Sequence, residues 1–302
     1  MVYVIQTALE LGFMYALVAM ALYLSYRTLD IADLTTDSCF VLGAAVSVTV
    51  AATGHPFLAV LAAMLAGACA GFVTAFLQTR LGVPSILAGI VTNTGLYTVN
   101  LMVMGWSSNV SLLKQETMFT LFKATGIGGG WYKLLLAACI TILAAVFLYW
   151  FLGTRLGLSI RATGDNADMV RASSVNPIMT ITVGLCISNS LTALSGAVVG
   201  QYQKSADING GSSIVVIGLA CLIIGETVMG KRSVLKGVIA SIVGSLIYRF
   251  IYAVILKTGS VPIECLKLVT AIVVALAIAA PTLKEWSAFQ GRRMKASRKG
   301  GV

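Results

Sequence analysis

Charged residues are scarce in this sequence. Only 11% of the 302 residues are Asp, Glu, Lys or Arg, whereas 58% are hydrophobic and the mean hydropathy is +0.93. A water-soluble domain of this composition would have to expose an unusually large apolar surface. The composition therefore excludes an ordinary soluble protein and predicts one that lies in a membrane.

Histidine is almost absent, and the cysteines form no recognisable motif. The single His55 has no Cys, Ser or carboxylate placed to act with it. The six cysteines lie in or beside apolar runs without C-x-x-C or Cys/His spacing, which is typical of small buried side chains. The pattern argues against a zinc site or a disulfide framework. We therefore predict a non-enzyme with no metal site and no cofactor in this chain.

One stretch comes close to a nucleotide-binding motif without completing it. Residues 225–231 have the G-x-x-x-x-G-K frame of a phosphate-binding loop, but Arg232 follows where Ser or Thr should hold magnesium. The stretch also follows an apolar run and not a strand. The sequence thus predicts no ATP site in this chain, and ATP-driven activity would need an ATPase from another chain.

What the sequence has in abundance is long apolar runs. Continuous runs of about 20 residues have the length of a membrane-spanning helix and lack the alternation of a transmembrane strand. We predict an all-α, polytopic transmembrane bundle of about nine spans. The second run opens with the polar residues 33–38, so it predicts either a full span or a broken, partly re-entrant helix. The runs lie near 3–26, 37–52, 57–79, 85–104, 132–153, 178–200, 212–229, 237–256 and 262–281.

Positive charge is distributed unevenly between the loops. With the C-terminus in the cytoplasm, fourteen of the 21 Lys and Arg residues fall inside and five outside, and the other two lie within runs. Cytoplasmic loops are enriched in Lys and Arg, so we predict an outside N-terminus and an inside C-terminus. The net charge of +10 then reflects cytoplasmic loops facing the lipid bilayer and not nucleic-acid binding. The predicted organisation is a transmembrane domain over 1–282, with an external loop over 105–130, and a basic cytoplasmic tail over 283–302.

A few ionisable residues fall inside the predicted spans, where an unpaired charge costs about 3 kcal/mol. Arg249 shares a helix face with Ser245 and Tyr252, which predicts that it points into the bundle. We predict an ion pair between Arg249 and Glu264, with Glu10 as the competing partner. Such a pair either locks helices together or takes part directly in a substrate path.

Neutral polar residues line up on two of the predicted helices. Asn93, Tyr97 and Asn100 follow one another by steps of four and three, and Asn189 lies on a polar stripe of a later helix. Buried amides in a membrane need partners, so these faces should point inward. They predict either a translocation path, suited to a neutral or zwitterionic solute, or hydrogen bonds between helices. Close helix packing is predicted by two further pairs of glycines spaced four apart, 67 with 71 and 196 with 200.

A polar connector over 157–177 is too hydrophilic to span the membrane. Asp165 or Asn166 can cap a short helix within it, and Arg161 and Arg171 are ten residues apart, about 15 Å if the helix is continuous. Gly164 is predicted to let the backbone turn at the helix start. By itself, the connector is either an ordinary amphipathic loop or a docking element.

The connector resembles the cytoplasmic coupling segment of membrane subunits of bacterial ABC importers, in the family that includes branched-chain amino acid and simple-sugar permeases. The family pattern is G-x-x-x-R-A-x-G-x-N-P-x-A-A-R-x-x-G-I-N. The sequence departs from it at Ala167, at 169–170 and at 174–175. The matching positions are Gly157, Arg161, Ala162, Gly164, Asn166, Arg171 and Asn176.

The resemblance implies a homodimer around a central path, two cytoplasmic ATPase subunits that bind ATP and magnesium, and an extracytoplasmic solute-binding protein, all at the bacterial plasma membrane. Overall similarity is greatest to permeases for aromatic amino acids such as tryptophan and tyrosine. The alternatives are a simple-sugar or nucleoside permease, a stand-alone carrier or channel, and a non-transporting assembly factor. The resemblance assigns ATPase coupling to Arg161, Ala162, Gly164, Asp165, Asn166, Arg171 and Asn176.

Overall fold

The computed structural model of the chain describes residues 2–258, apart from 114, 125, 127, 128, 174, 231 and 232, together with the single positions 268, 271, 272, 275 and 279. Glu264 and the predicted tail over 283–302 therefore lie outside the described residues. The predicted ninth span is described only at those five positions, so its existence stays a prediction.

The described chain is almost entirely helical, as predicted. Its helices are α1 (Val2–Leu22, continued by a π-helical turn over Tyr23–Thr28), α2 (Thr36–Ala51), α3 (Pro56–Thr79), α4 (Ser85–Val103), α5 (Met118–Ala124), α6 (Tyr132–Gly153), α7 (Arg155–Asp165), α8 (Ala167–Ala172), α9 (Pro177–Gln203), α10 (Ile214–Met229) and α11 (Val234–Thr258). Two short strands, β1 (Asn109–Ser111) and β2 (Ser205–Asp207), pair in antiparallel fashion.

Each of the first eight apolar runs coincides with one helix, but the helices differ in length. Six of the described helical segments are long and apolar enough to cross a membrane. The helices α2 and α10 have 16 residues each, fewer than the roughly 20 that a full span requires. The helical bundle is thus confirmed, whereas the count of nine spans and the orientation stay predictions.

The centre of the bundle is α9, against which α1, α2 and α3 pack. Glycines permit this close packing, as their spacing predicts. Gly67 and Gly71 of α3 lie against the backbone of α9. Gly196 of α9 lies against the backbone carbonyl of Phe40 in α2. A Cβ at any of these three positions would overlap its neighbour, so the glycines set the distance between the helices.

A non-helical linker over 29–35, in which residues 29, 31, 33 and 35 are buried, joins the π-helical turn to α2. Its residue Asp33 contacts Asn189 of α9. The helix α9 has 27 residues and is about 40 Å long, and Asn189 lies twelve residues, or about 18 Å, from its start. The linker therefore reaches the middle of α9, and the short α2 begins inside the protein. Irregular backbone at this depth is tolerated because surrounding helices cover it.

Candidate functional site

The connector predicted to be a docking element folds as two short helices, α7 and α8. The side chain of Thr154 accepts a hydrogen bond from the Gly157 amide at 3.2 Å and caps α7. Asn166 accepts from the Asp168 and Met169 amides at 3.0 Å each and caps α8, as predicted. The helix α7 was not predicted from the sequence. Extended backbone at Asn166 separates the two helices, so Arg161 and Arg171 do not lie on one continuous helix.

The helix α7 is held against the bundle by its buried face. Ile160 and Thr163 are buried, and the Thr163 and Thr180 hydroxyl oxygens lie 2.8 Å apart, which ties α7 to α9. Gly164 lies against the backbone carbonyl of Thr28, where a Cβ would overlap that oxygen. The predicted role of Gly164 is therefore corrected: it lies in the last turn of α7 and permits close contact with the end of the π-helical turn.

The opposite face of the α7–α8 segment is exposed and mixes charge with apolar side chains. Leu158 and Met169 are exposed, Met169 at 68% of its surface. The Nη1 atom of Arg171 lies 3.6 Å from Asp168 Oδ1, in a pair so exposed that it adds little stability. Sequence reasoning overlooked the two apolar residues. The predicted coupling residues on this exposed surface are Arg161, Ala162, Asp165, Asn166, Arg171 and Asn176.

A polar cleft of about 320 Å³ lies beside α7 and opens between α1, α10 and α11. On its wall the Nε atom of Arg27 lies 3.2 Å from Glu226 Oε1, and Glu226 is buried. Arg161 and Asp165 of α7 line the same cleft. The two partners are 199 positions apart in the sequence, so no local pattern indicated this pair. The cleft thus connects the π-helical turn, α7 and the end of α10.

A buried polar cluster surrounds the start of α2. Asp33, only 3% exposed, accepts a hydrogen bond from Asn189 Nδ2 at 2.6 Å and another from the Thr35 amide at 2.9 Å. The Thr35 and Thr74 hydroxyl oxygens are 2.9 Å apart, and Cys39 Sγ donates to the Asn189 carbonyl at 3.2 Å. The cluster joins the linker to α2, α3 and α9. Asp33 was not among the predicted site residues, although the polar run over 33–38 was the available signal.

Two of the predicted path residues hold the first turn of α2. Asn93 Oδ1 accepts from the Ser38 amide, and Asn100 Nδ2 donates to the Ser38 carbonyl, both at 3.0 Å. Tyr97 is 48% exposed, so it does not join them. The structure thus brings Asn93, Asn100 and Asn189 together around α2. Among the described residues, the Oδ1 atoms of Asn100 and Asn189 are buried without a hydrogen-bond partner.

The intramembrane charges have aromatic partners that the sequence did not suggest. The guanidinium carbon of Arg249 lies 3.6 Å from the centre of the Tyr15 ring and 5.7 Å from that of Tyr252. Glu10, the predicted competing partner, instead accepts from Tyr202 at 2.8 Å and from Gln6 at 2.9 Å. Arg249 is buried, as its helix face predicts. Its predicted pairing with Glu264 lies outside the described residues.

Comparison with known proteins places the chain in a transport family. Residues 4–278 match the family described as branched-chain amino acid transport system / permease component. The chain is 33% identical to a tyrosine transport system permease protein of Clostridioides difficile over 269 residues, which cover 89% of this chain and 88% of the relative. It is 26% identical to the ribose import permease protein RbsC of Haemophilus influenzae, over 72% of this chain and 67% of that protein.

A relative that matches less of the chain extends the range of named solutes. The chain is 28% identical to the autoinducer 2 import system permease protein LsrC of Escherichia coli over 58% of this chain and half of that protein. No solved structure matches the chain significantly. The family match covers nearly all of the chain, and six helices among its described residues are able to cross a membrane. The chain therefore belongs to the family of branched-chain amino acid transport system permease components and is a multi-pass membrane permease.

Proposed function

We propose that the chain is the membrane subunit of a bacterial ABC importer for a small polar solute, with an aromatic amino acid as substrate. The observation that carries this proposal is the 33% identity to a tyrosine transport system permease across 89% of the chain. The ribose permease matches less of the chain at lower identity, so a simple-sugar or nucleoside solute is the second candidate.

The exposed surface of the α7–α8 segment supports docking of an ATPase subunit. Leu158 and Met169 offer apolar contacts, and Arg161 and Arg171 offer charge-assisted hydrogen bonds. Because α7 packs against the π-helical turn at Gly164 and is hydrogen-bonded to α9 through Thr163, force on α7 would move both elements together. This two-sided attachment favours a coupling element over an ordinary connector.

The remaining parts of the importer come from partners. In this proposal the permease forms a homodimer in the plasma membrane with the α7–α8 end facing the cytoplasm. ATP and magnesium bind to two ATPase subunits, and an extracytoplasmic binding protein delivers the solute. The incomplete phosphate-binding frame over 225–231 supports the division of labour, because this chain lacks the Ser or Thr that such a loop needs.

The amides around the start of α2 are proposed to border the solute path. Buried amide oxygens normally have a hydrogen-bond donor, and the free Oδ1 atoms of Asn100 and Asn189 could accept one from a passing ammonium or hydroxyl group. Tyr97 remains a candidate lining residue because its exposed ring lies on the same helix as Asn93 and Asn100.

Reconstitution tests the proposal directly. The permease is co-expressed with candidate ATPase and binding-protein subunits from the same organism, purified, and placed in vesicles with ATP inside. Uptake and ATP hydrolysis are then measured with tyrosine, tryptophan, leucine and ribose. We expect stimulation by an aromatic amino acid that requires all three components. Stimulation by ribose alone would select the sugar alternative, and uptake without the ATPase would identify a stand-alone carrier.

A further inference from the structure

A long apolar groove runs along the side of the bundle between α3 and α6, with α9 as its floor. Leu191 and Leu194 form part of the floor, Met64 belongs to the α3 wall, and Ile140 and Phe147 belong to the α6 wall. The groove has a volume of about 590 Å³, within the range of small-molecule sites. Its lining is apolar except for Ser190, so it offers almost nothing to a polar ligand.

The groove opens toward the membrane. Both walls are helices long and apolar enough to span it, and Leu143 at the rim is 72% exposed. Hydrocarbon and not water therefore surrounds the opening. An elongated apolar ligand from the bilayer can enter from the side.

The length and the end of the groove indicate which ligand fits. The α6 wall extends from Leu136 to Phe147, a rise of about 16 Å, which is close to half of a bilayer core of about 30 Å. Lys133 lies one turn before Leu136 on the same stripe of α6, and its Nζ atom lies 4.9 Å from the centre of the Tyr202 ring. The groove thus crosses one leaflet and ends beside a cation at the depth of the headgroups.

We propose that this groove is a binding site for one phospholipid, with an acyl chain between α3 and α6 and the phosphate beside Lys133. The leaflet is the one at the start of α3 and α6, which is the outer leaflet in the predicted orientation. The groove is apolar, is about as long as one leaflet, and ends beside a cation. This combination favours a phospholipid over an apolar segment of protein. This inference concerns a different surface from the proposed docking and solute sites and does not depend on the substrate.

Native mass spectrometry of the full chain tests the site. The protein is purified in detergent with palmitoyl-oleoyl phosphatidylglycerol or phosphatidylcholine added, and retained lipid is counted per chain. We expect one phospholipid, with the anionic lipid preferred. Lys133→Gln should lower phosphatidylglycerol retention about fivefold, and Ser190→Phe should lower retention of both lipids by filling the slot.

Two control variants isolate the effect. Lys257→Gln removes a cation at the end of α11, and Thr94→Phe adds the same ring on an exposed part of α4; neither should change retention. Equal retention in wild type, Lys133→Gln and Ser190→Phe would overturn the proposal. Loss of the dimer in Ser190→Phe, with lipid retention unchanged, would also overturn it, because the groove would then be a protein interface.

Discussion

Two groups of polar residues differ in how far along the sequence their hydrogen-bond partners lie. One group surrounds the start of α2, and the other caps the helices of the α7–α8 segment. Around α2, Asp33, Asn93 and Asn100 bond to other elements, across as many as 156 positions of sequence. In the α7–α8 segment, Thr163 bonds to Thr180 of α9, but the capping residues Thr154 and Asn166 bond to amides two or three positions away. Polar groups that hold distant helices together contribute to the stability of the bundle, whereas locally capped, exposed ones remain free to bind a partner.

The sharpest test of this contrast is Asp33→Ala. The substitution removes the acceptor for Asn189 and for the Thr35 amide in a buried place, so we expect a loss of about 3 kcal/mol and a clear drop in the thermal unfolding temperature in detergent. Asp168→Ala is the matched control, since that side chain is 91% exposed and should leave stability unchanged. Equal unfolding temperatures for the two variants would abolish the distinction between the regions.

Gly164→Leu tests the contact by which the α7–α8 segment packs against the bundle. The new side chain would overlap the Thr28 carbonyl and push α7 away from α1, at a cost of about 2 kcal/mol. We expect the protein to insert and fold but to lose coupling between ATP hydrolysis and uptake in vesicles. Gly153→Leu is the control, because no atom lies within 4 Å of a Cβ at that position. Full coupling in Gly164→Leu would show that the contact is dispensable.

A substitution in the polar cleft beside α7 should have a smaller effect. Arg27→Gln removes the cation beside Glu226, and because Arg27 is half-exposed we expect a loss of about 1 kcal/mol. Since the cleft also borders α7, solute-stimulated ATP hydrolysis should fall severalfold. Arg80→Gln, at the end of α3, serves as the control. An unchanged ATPase rate would separate the cleft from coupling.

The smallest effect on stability is expected from Arg171→Glu. Arg171 is exposed and its pair with Asp168 is weak, so unfolding should shift by less than about 0.5 kcal/mol. Binding of the ATPase subunit should nevertheless weaken at least tenfold, measured by co-purification and by titration in detergent. Lys236→Glu reverses an exposed charge in the first turn of α11 and should keep binding. Unchanged ATPase affinity in Arg171→Glu would leave the segment without its proposed docking role.

The contrast between the regions also explains how far prediction from sequence could reach. The cap of α8 at Asn166, one of the two predicted positions, could be predicted because a cap needs only an amide two or three residues away. The start of α7 was missed because Thr154 follows an apolar span without a polar break. Asp33 was missed as a site residue because its main partner, Asn189, is brought to it only by the packing of α9.

Hydropathy and composition by themselves determined that this protein is a helical membrane bundle, because spanning hydrocarbon requires long apolar helices with internally satisfied backbones. The glycine spacing likewise determined which faces pack closely. The tertiary structure alone decided that α2 begins at the middle of α9, that Arg249 stacks on Tyr15, and that Gly164 serves contact and not a turn. Those features depend on side chains and carbonyls from separate helices meeting in space, and no local pattern of residues encodes such a meeting.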